Sequence, residues 1–143
     1  MDGEDLHLQA LNNLGAVYIK TKQLSHAQKI YEQLISLAPE SGMAHENMAL
    51  TLKMLGDHRG AAAEYLSAIK MGVETIKTYE EACRALVMSD DINGVNSLFE
   101  SYNWPVNKSC FENFIKYAIA QKNNDHKSAN KLFRSYIICK KNK

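Results

Sequence analysis

The chain has 143 residues, 45% of them apolar and 23% charged, which is enough material for one soluble domain with its own hydrophobic core. Seventeen Lys and Arg against sixteen Asp and Glu leave a formal charge of +1, so no general positive field is available to hold a polyanion, and an electrostatic nucleic-acid binder is disfavoured. No run of about 18 apolar residues occurs, which argues against a helical membrane span. The opening "MDGEDLHLQ" lacks the basic start and apolar centre of a secretory signal. Cys83, Cys110 and Cys139 are odd in number and far apart, which suits free thiols in a reducing compartment better than a zinc site or a disulfide framework. The expectation is a soluble, cytoplasmic chain that needs no metal or cofactor.

The stretch Ala10–Lys20 has the pattern of an amphipathic helix, with Leu11, Leu14, Tyr18 and, with a slight drift, Val17 on one face. Gly15 stands in that stripe, although glycine costs a helix roughly 0.5 to 1 kcal/mol relative to alanine. Apolar residues keep recurring at intervals of three and four as far as Ile138, with two prolines, seven glycines and almost no Val/Ile/Thr alternation, so the whole chain is expected to be helical. A longer period lies over the short one. Ala27, Ala61, Val95 and Ala129 are spaced by 34 residues, and so are Tyr31, Tyr65, Phe99 and Phe133. Four residues separate the members of each pair, so small residue and aromatic share a helix face. The same register aligns Gly15, Ala49 and Cys83, all small, where the first helix of each pair is expected to cross the second.

A 34-residue period made of two helices resembles the tetratricopeptide repeat family. In the first repeat the family's pattern is met by Leu11 (where Trp is usual), Leu14, Gly15, Tyr18, Ala27, Tyr31 and the closing Pro39. The second repeat supplies Met48, Ala49, Leu52, the turn Gly56-Asp57, Ala61, Tyr65 and Ala68. The third keeps Tyr79, Ala82, Cys83, Leu86, Val95 and Phe99 but closes on "NWPVN", around Pro105, and departs from the pattern there. The fourth keeps Ala129 and Phe133, and its first helix fits if Phe111, Phe114 and Ala118 form the face and the turn "QKNNDHK" is about two residues longer than usual. The resemblance implies an all-α, right-handed α-solenoid of about four helix-turn-helix repeats, approximately 8–41, 42–75, 76–107 and 108–141, in a single domain over 1–143 with the last repeat atypical.

In that family the first helices of successive repeats line a concave groove that holds peptides or partner helices. The register implies groove positions Gln9, Asn12, Asn13, Ala16 and Lys20 in the first repeat, Met43, Glu46, Asn47, Leu50, Lys53 and Met54 in the second, and Lys77, Glu80, Glu81, Arg84 and Met88 in the third. Asn side chains can donate to and accept from an extended backbone, and flexible Met side chains adapt to apolar partners. Co-chaperones of the family clamp a chaperone's C-terminal carboxylate with positions that here are Asn12, Ala16, Asn47, Lys77 and Glu81. Two of the five match, and Glu81 sets a negative charge where the carboxylate needs a positive one, so that clamp is not expected. The groove's three Glu also count against a related repeat family that reads RNA with a basic surface.

The last helix is apolar over a broad arc, and Leu132, Tyr136, Ile137 and Ile138, beside Phe133, could form a face for a second protomer or a partner. The short basic end Lys140, Lys141 and Lys143 is best taken as solvated. Catalytic constellations are missing. "AHENMAL" begins like a zinc-protease helix, but Ala49 stands where the second His belongs. His7, His26, His45, His58 and His126 are scattered and suit surface or groove positions, and no phosphate loop or nucleophile elbow occurs. The expected function is therefore a non-enzymatic protein-protein interaction module, an adaptor, scaffold or chaperone that binds a partner peptide or helix in its groove, in a setting such as a secretion or pilus assembly. The alternative is a homo-oligomeric assembly unit that uses the apolar last helix.

Overall fold

The computed structural model describes residues 2–103 and 107–142, and the features singled out at Pro105 and Lys143 lie outside them. Its helices are α1 (Gly3–Lys20), α2 (Leu24–Leu37), α3 (Gly42–Leu55), α4 (His58–Lys70), α5 (Ile76–Met88), α6 (Ile92–Ser101), α7 (Lys108–Lys122) and α8 (His126–Lys141). No strand occurs among the described residues. The helices follow one another as four pairs, so the chain is all-α and built of helix-turn-helix units. Its contacts divide it into two compact units, Met1–Tyr79 and Glu80–Lys143, with the division inside α5.

Each helix pair is folded back by the same device. Lys22, Gly56, Asp90 and Asn124 all have left-handed φ, at 60°, 85°, 61° and 56°, and they too stand 34 residues apart. The next residue in each turn sends its N–H back to a helix carbonyl: Gln23 to Tyr18, Asp57 to Leu52, Asp91 to Leu86 and Asp125 to Ala120, all at 2.8–2.9 Å. This closes the helix end as a Schellman-type turn. In three of the four turns that same residue is an Asp that caps the following helix, its carboxylate accepting from the N–H of Gly60, Gly94 or Ser128. Gln23, in the first turn, makes no such side-chain cap. The fourth turn is no longer than the first and third: only Asn123, Asn124 and Asp125 separate α7 from α8. Gln121 and Lys122, polar and easily taken for turn, are good helix formers and remain in α7.

Within Met1–Tyr79, α1 packs on α2 and α3, and α3 packs on α4. Ala27, Tyr31, Ala49 and Ala61 are completely enclosed. A Cβ at Gly15 would lie 2.6 Å from the Tyr31 ring tip, and moving the ring is costly because it is enclosed and its hydroxyl donates to the Asn12 carbonyl at 3.4 Å. The rest of the expected α1 stripe is only partly right. Leu11 is buried, but Leu14 and Val17 are 40% and 53% exposed, because among the described residues α1 has helices on one side only.

His45, expected at the surface or in the groove, is buried between α3, α4 and the turn after α2. Its Nδ1 lies 2.6 Å from a Glu64 carboxylate oxygen and its Nε2 lies 2.8 Å from the Pro39 carbonyl oxygen. Neither an ionised carboxylate nor a carbonyl can donate, so the ring fits this position as a doubly protonated imidazolium. Burial acts to lower its pKa, but the bonds to Glu64 and Pro39 and the Glu64 charge outweigh it and hold the pKa above the ordinary 6.5.

Within Glu80–Lys143 an aromatic cluster forms the core. Tyr102 stacks on Phe111 at 4.5 Å between ring centroids, and Phe114 lies 5.1 Å from Tyr136. Phe111, Phe114 and Ala118 are buried, as the expected face of α7 requires. In the 34-residue register Tyr117 occupies the place that Gly15 holds in the first repeat. Its ring fills the crossing and sits 5.0 Å from that of Phe133, which is 42% exposed where Tyr31 is fully buried. Cys110 and Cys139 were expected to be free, yet α7 and α8 run antiparallel and bring them together as a disulfide with Cα atoms 5.5 Å apart. Such bonds persist in oxidising surroundings, so the reducing compartment inferred from free thiols loses that support. Cys83 is free and enclosed, and burial pushes its thiol pKa up to about 12, which leaves it inert.

Three outcomes follow from this packing. Gly15→Ala should lower stability by about 1 to 3 kcal/mol despite its better helix propensity, because the Tyr31 ring must move; a thermal midpoint equal to or above that of the wild type would disprove the crossing. Cys110→Ala with Cys139→Ala should cost about 2 to 4 kcal/mol, seen in denaturant unfolding followed by circular dichroism. The contribution of the His45 pair is fully present below pH 6.5 and is lost as pH rises through the raised pKa of the folded state. The melting midpoint should therefore fall on going from mildly acidic to mildly alkaline solution, with a flatter slope in His45→Gln.

Candidate functional site

On α1, residues 5, 8, 9, 12 and 13 recur at helical spacing and form one face. The end of α2, the turn around Glu40 and the first turn of α3 stand opposite. Between them lies a cavity of about 490 Å³, a size suited to part of a ligand or a few side chains of a peptide. Four of the expected groove residues line it: Gln9, Asn12, Asn13 and Met43. Six residues that the register did not single out complete it. Leu8, Leu34 and Ala38 give an apolar floor, Ser41 adds a hydroxyl, and Asp5 and Glu40 add two carboxylates. Asp5 and Leu8 were legible one helical turn before Gln9 and Asn12; Leu34 and Ala38 were not, because they belong to the second helix of the pair.

Hydrogen bonds hold part of this surface in place. Asn47 Nδ2 donates to Asn12 Oδ1 at 3.0 Å, and Asn12 Nδ2 approaches the Met43 sulfur at 3.8 Å. Glu46 accepts from the Thr78 hydroxyl at 2.7 Å. Ala16, Leu50, Lys53 and Met54 are partly exposed, and Lys20 and Lys77 are exposed, but none of them lines the cavity. The side chains of Asn13 and Gln9 are exposed and make no hydrogen bond among the described residues, so their amides remain available to a ligand.

The third-repeat positions lie mostly in Glu80–Lys143 and are occupied differently. Glu80 accepts from the Tyr136 hydroxyl and from Lys140 Nζ, the latter at 3.0 Å. Burial, then the bond to Glu80 and its charge, push the Tyr136 pKa well up, so the phenol stays protonated and donating. Glu81 pairs with Arg84 at 3.1 Å, and the Arg84 guanidinium lies over the Phe114 ring, 5.6 Å from its centroid. These side chains fasten helices together; Met88 is exposed. Tyr136, placed by the sequence on a possible oligomer face, is core instead, because its ring packs on Phe114 and its hydroxyl is bonded. Leu132 and Ile137 are half-buried, and Ile138 is 61% exposed. A second cavity, of about 390 Å³ between α6 and α7, carries charges that cancel, since Lys116 pairs with Glu112 at 2.7 Å. Among the described residues no group of three or more His, Cys, Asp or Glu side chains is gathered as metal ligands, and no helix is long and apolar enough to cross a membrane.

Comparison with known proteins bears on the fold. The tetratricopeptide repeat profile matches residues 8–41. No curated protein matches the sequence. Among solved structures the chain is similar to the TPR2B domain of yeast Sti1 in its complex with pHsp70, at 18% identity, covering 96% of this chain and 99% of that one with a TM-score of 0.60. It is similar to SycD, a type III secretion translocator chaperone of Yersinia enterocolitica, at 14% identity over 93% of this chain and 83% of that one, TM-score 0.60. It is also similar to the Sgt2 TPR domain of Aspergillus fumigatus, at 20% identity over 87% and 82%, TM-score 0.61. Identities this low speak for a shared fold and not for a shared ligand.

Proposed function

Taking as premise that this is a tetratricopeptide-repeat protein, with a repeat matched over residues 8–41, we propose that it is a non-enzymatic adaptor that binds a peptide or helix of another protein. The observation that carries this reading is the cavity of about 490 Å³ in Met1–Tyr79, where the free amides of Gln9 and Asn13 stand beside an apolar floor. Amides that both donate and accept can follow a peptide backbone of any sequence, while the floor selects apolar side chains. Similarity in fold to a domain that forms a complex with pHsp70 and to a type III secretion translocator chaperone supports an assembly role of the kind expected, in a secretion or comparable apparatus. The carboxylate clamp finds no support, because Asn12 and Asn47 bond to each other and Glu81 to Arg84.

The alternative, a homo-oligomeric unit that uses α8, rests on Ile138, the most exposed large apolar residue of that helix. A photo-crosslinking residue at Asn13 should capture a partner that the same group at Lys29, exposed on α2, does not. Equal capture at both positions, or none at Asn13, refutes the groove. In the same preparation Ile138→Asp should leave the sedimentation coefficient unchanged; a shift to a smaller species would favour the assembly unit.

A further inference from the structure

We propose that the cavity in Met1–Tyr79 takes a segment of a partner protein in which a lysine or arginine lies beside an aliphatic residue. The proposal rests on the adaptor reading and adds the partner's chemistry. The floor is aliphatic: Leu34 is buried beneath it, and Met43, 60% exposed, can fold over an inserted side chain. The rim is acidic. Asp5 and Glu40 both line the opening, neither pairs with a basic group among the described residues, and no Lys, Arg or His lines the cavity. A partner cation would meet two carboxylates with no basic side chain beside them in the cavity lining, whereas an acidic segment would meet like charge with no basic side chain to bridge it.

The amino end of α1 partly offsets Asp5, which stands in its first turn, and leaves Glu40 untouched, so the backbone dipoles weaken this preference without reversing it. The carboxyl end of α2 lines the cavity through Leu34 and Ala38 and presents its negative pole. The amino end of α3, of opposite sign, is met by the Ser41 hydroxyl, which accepts from the Ala44 N–H at 3.3 Å. Carboxylates on the rim are solvated, so their effect is on selectivity and is screened by salt. The cavity between α6 and α7 has no such preference, because its acid and its base neutralise each other.

The test uses the full chain and three labelled, end-blocked peptides that share alanine and leucine positions and differ only in carrying Lys, Gln or Glu beside each leucine. Fluorescence anisotropy should show the Lys peptide binding about tenfold more tightly than the Gln peptide at low salt, with the margin shrinking at high salt. The Glu peptide should bind most weakly. Asp5→Asn with Glu40→Gln, two exposed positions whose exchange leaves helix content unchanged by circular dichroism, should abolish the difference. Equal or tighter binding of the Glu peptide overturns the proposal, as does a Lys preference that survives the double substitution. If no peptide binds while crosslinking at Asn13 still captures a partner, the proposed chemistry is wrong and the adaptor reading stands; if both fail, the adaptor reading falls as well. Self-association that disappears in the double variant, with no peptide bound, would place a second copy of the chain in the cavity and also overturn the proposal.

Discussion

A helix can fold back on the next one only if the chain leaves helical dihedrals abruptly and still satisfies its last carbonyls. Here a single left-handed residue does this in every repeat, at Lys22, Gly56, Asp90 and Asn124. Only Gly56 adopts that conformation without steric cost; Lys22 carries the full side-chain penalty, on the order of 1 to 2 kcal/mol. The conformation persists at all four because the next N–H reaches back to a helix carbonyl in each turn. A turn of constant geometry keeps the two helices of a pair in constant register. Everything that repeats every 34 residues, Ala27 and its equivalents included, depends on that constancy.

Constant register does not mean identical contacts. In the first repeat a glycine admits the Tyr31 ring to the interior, and in the fourth Tyr117 fills the equivalent space while Phe133 stays at the surface. The two units are fastened accordingly. Met1–Tyr79 relies on enclosed small residues and on the His45–Glu64 pair between α3 and α4. Glu80–Lys143 relies on stacked aromatics, on the Cys110–Cys139 bond, and on Glu80 held by Tyr136 and Lys140. Those polar side chains are spent on packing. Of the amides expected on the groove, Gln9 and Asn13 on the first repeat stay exposed with no side-chain hydrogen bond among the described residues, beside the carboxylates of Asp5 and Glu40.

Asn47 shows how occupancy changes the meaning of a residue. As a lone amide on a groove face it suggests a ligand contact, but bonded to Asn12 it positions its neighbour. Asp5 and Glu40 gain meaning in the opposite direction. In the chain they are ordinary surface acids, one in the first turn of a helix and one after a proline. Folding sets them around one opening with no base between them, and only then do they give the opening a sign.

The helical class, the repeat length, the small-against-aromatic crossing and the face of α1 that bears Gln9, Asn12 and Asn13 could all be had from residue order, because each follows from contacts within one helix or one hairpin at a fixed spacing. The left-handed row is masked in the residue order because Lys22, a type that seldom adopts that conformation, stands in it with Gly56, Asp90 and Asn124, and what unites the four is a backbone dihedral. The Cys110–Cys139 bond, the burial of His45 and Tyr136, and the part taken by Leu34, Ala38 and Glu40 came only with the folded chain. Each joins residues of different helices, whose distance depends on the angle and depth at which the helices pack. No spacing along a single helix encodes those quantities.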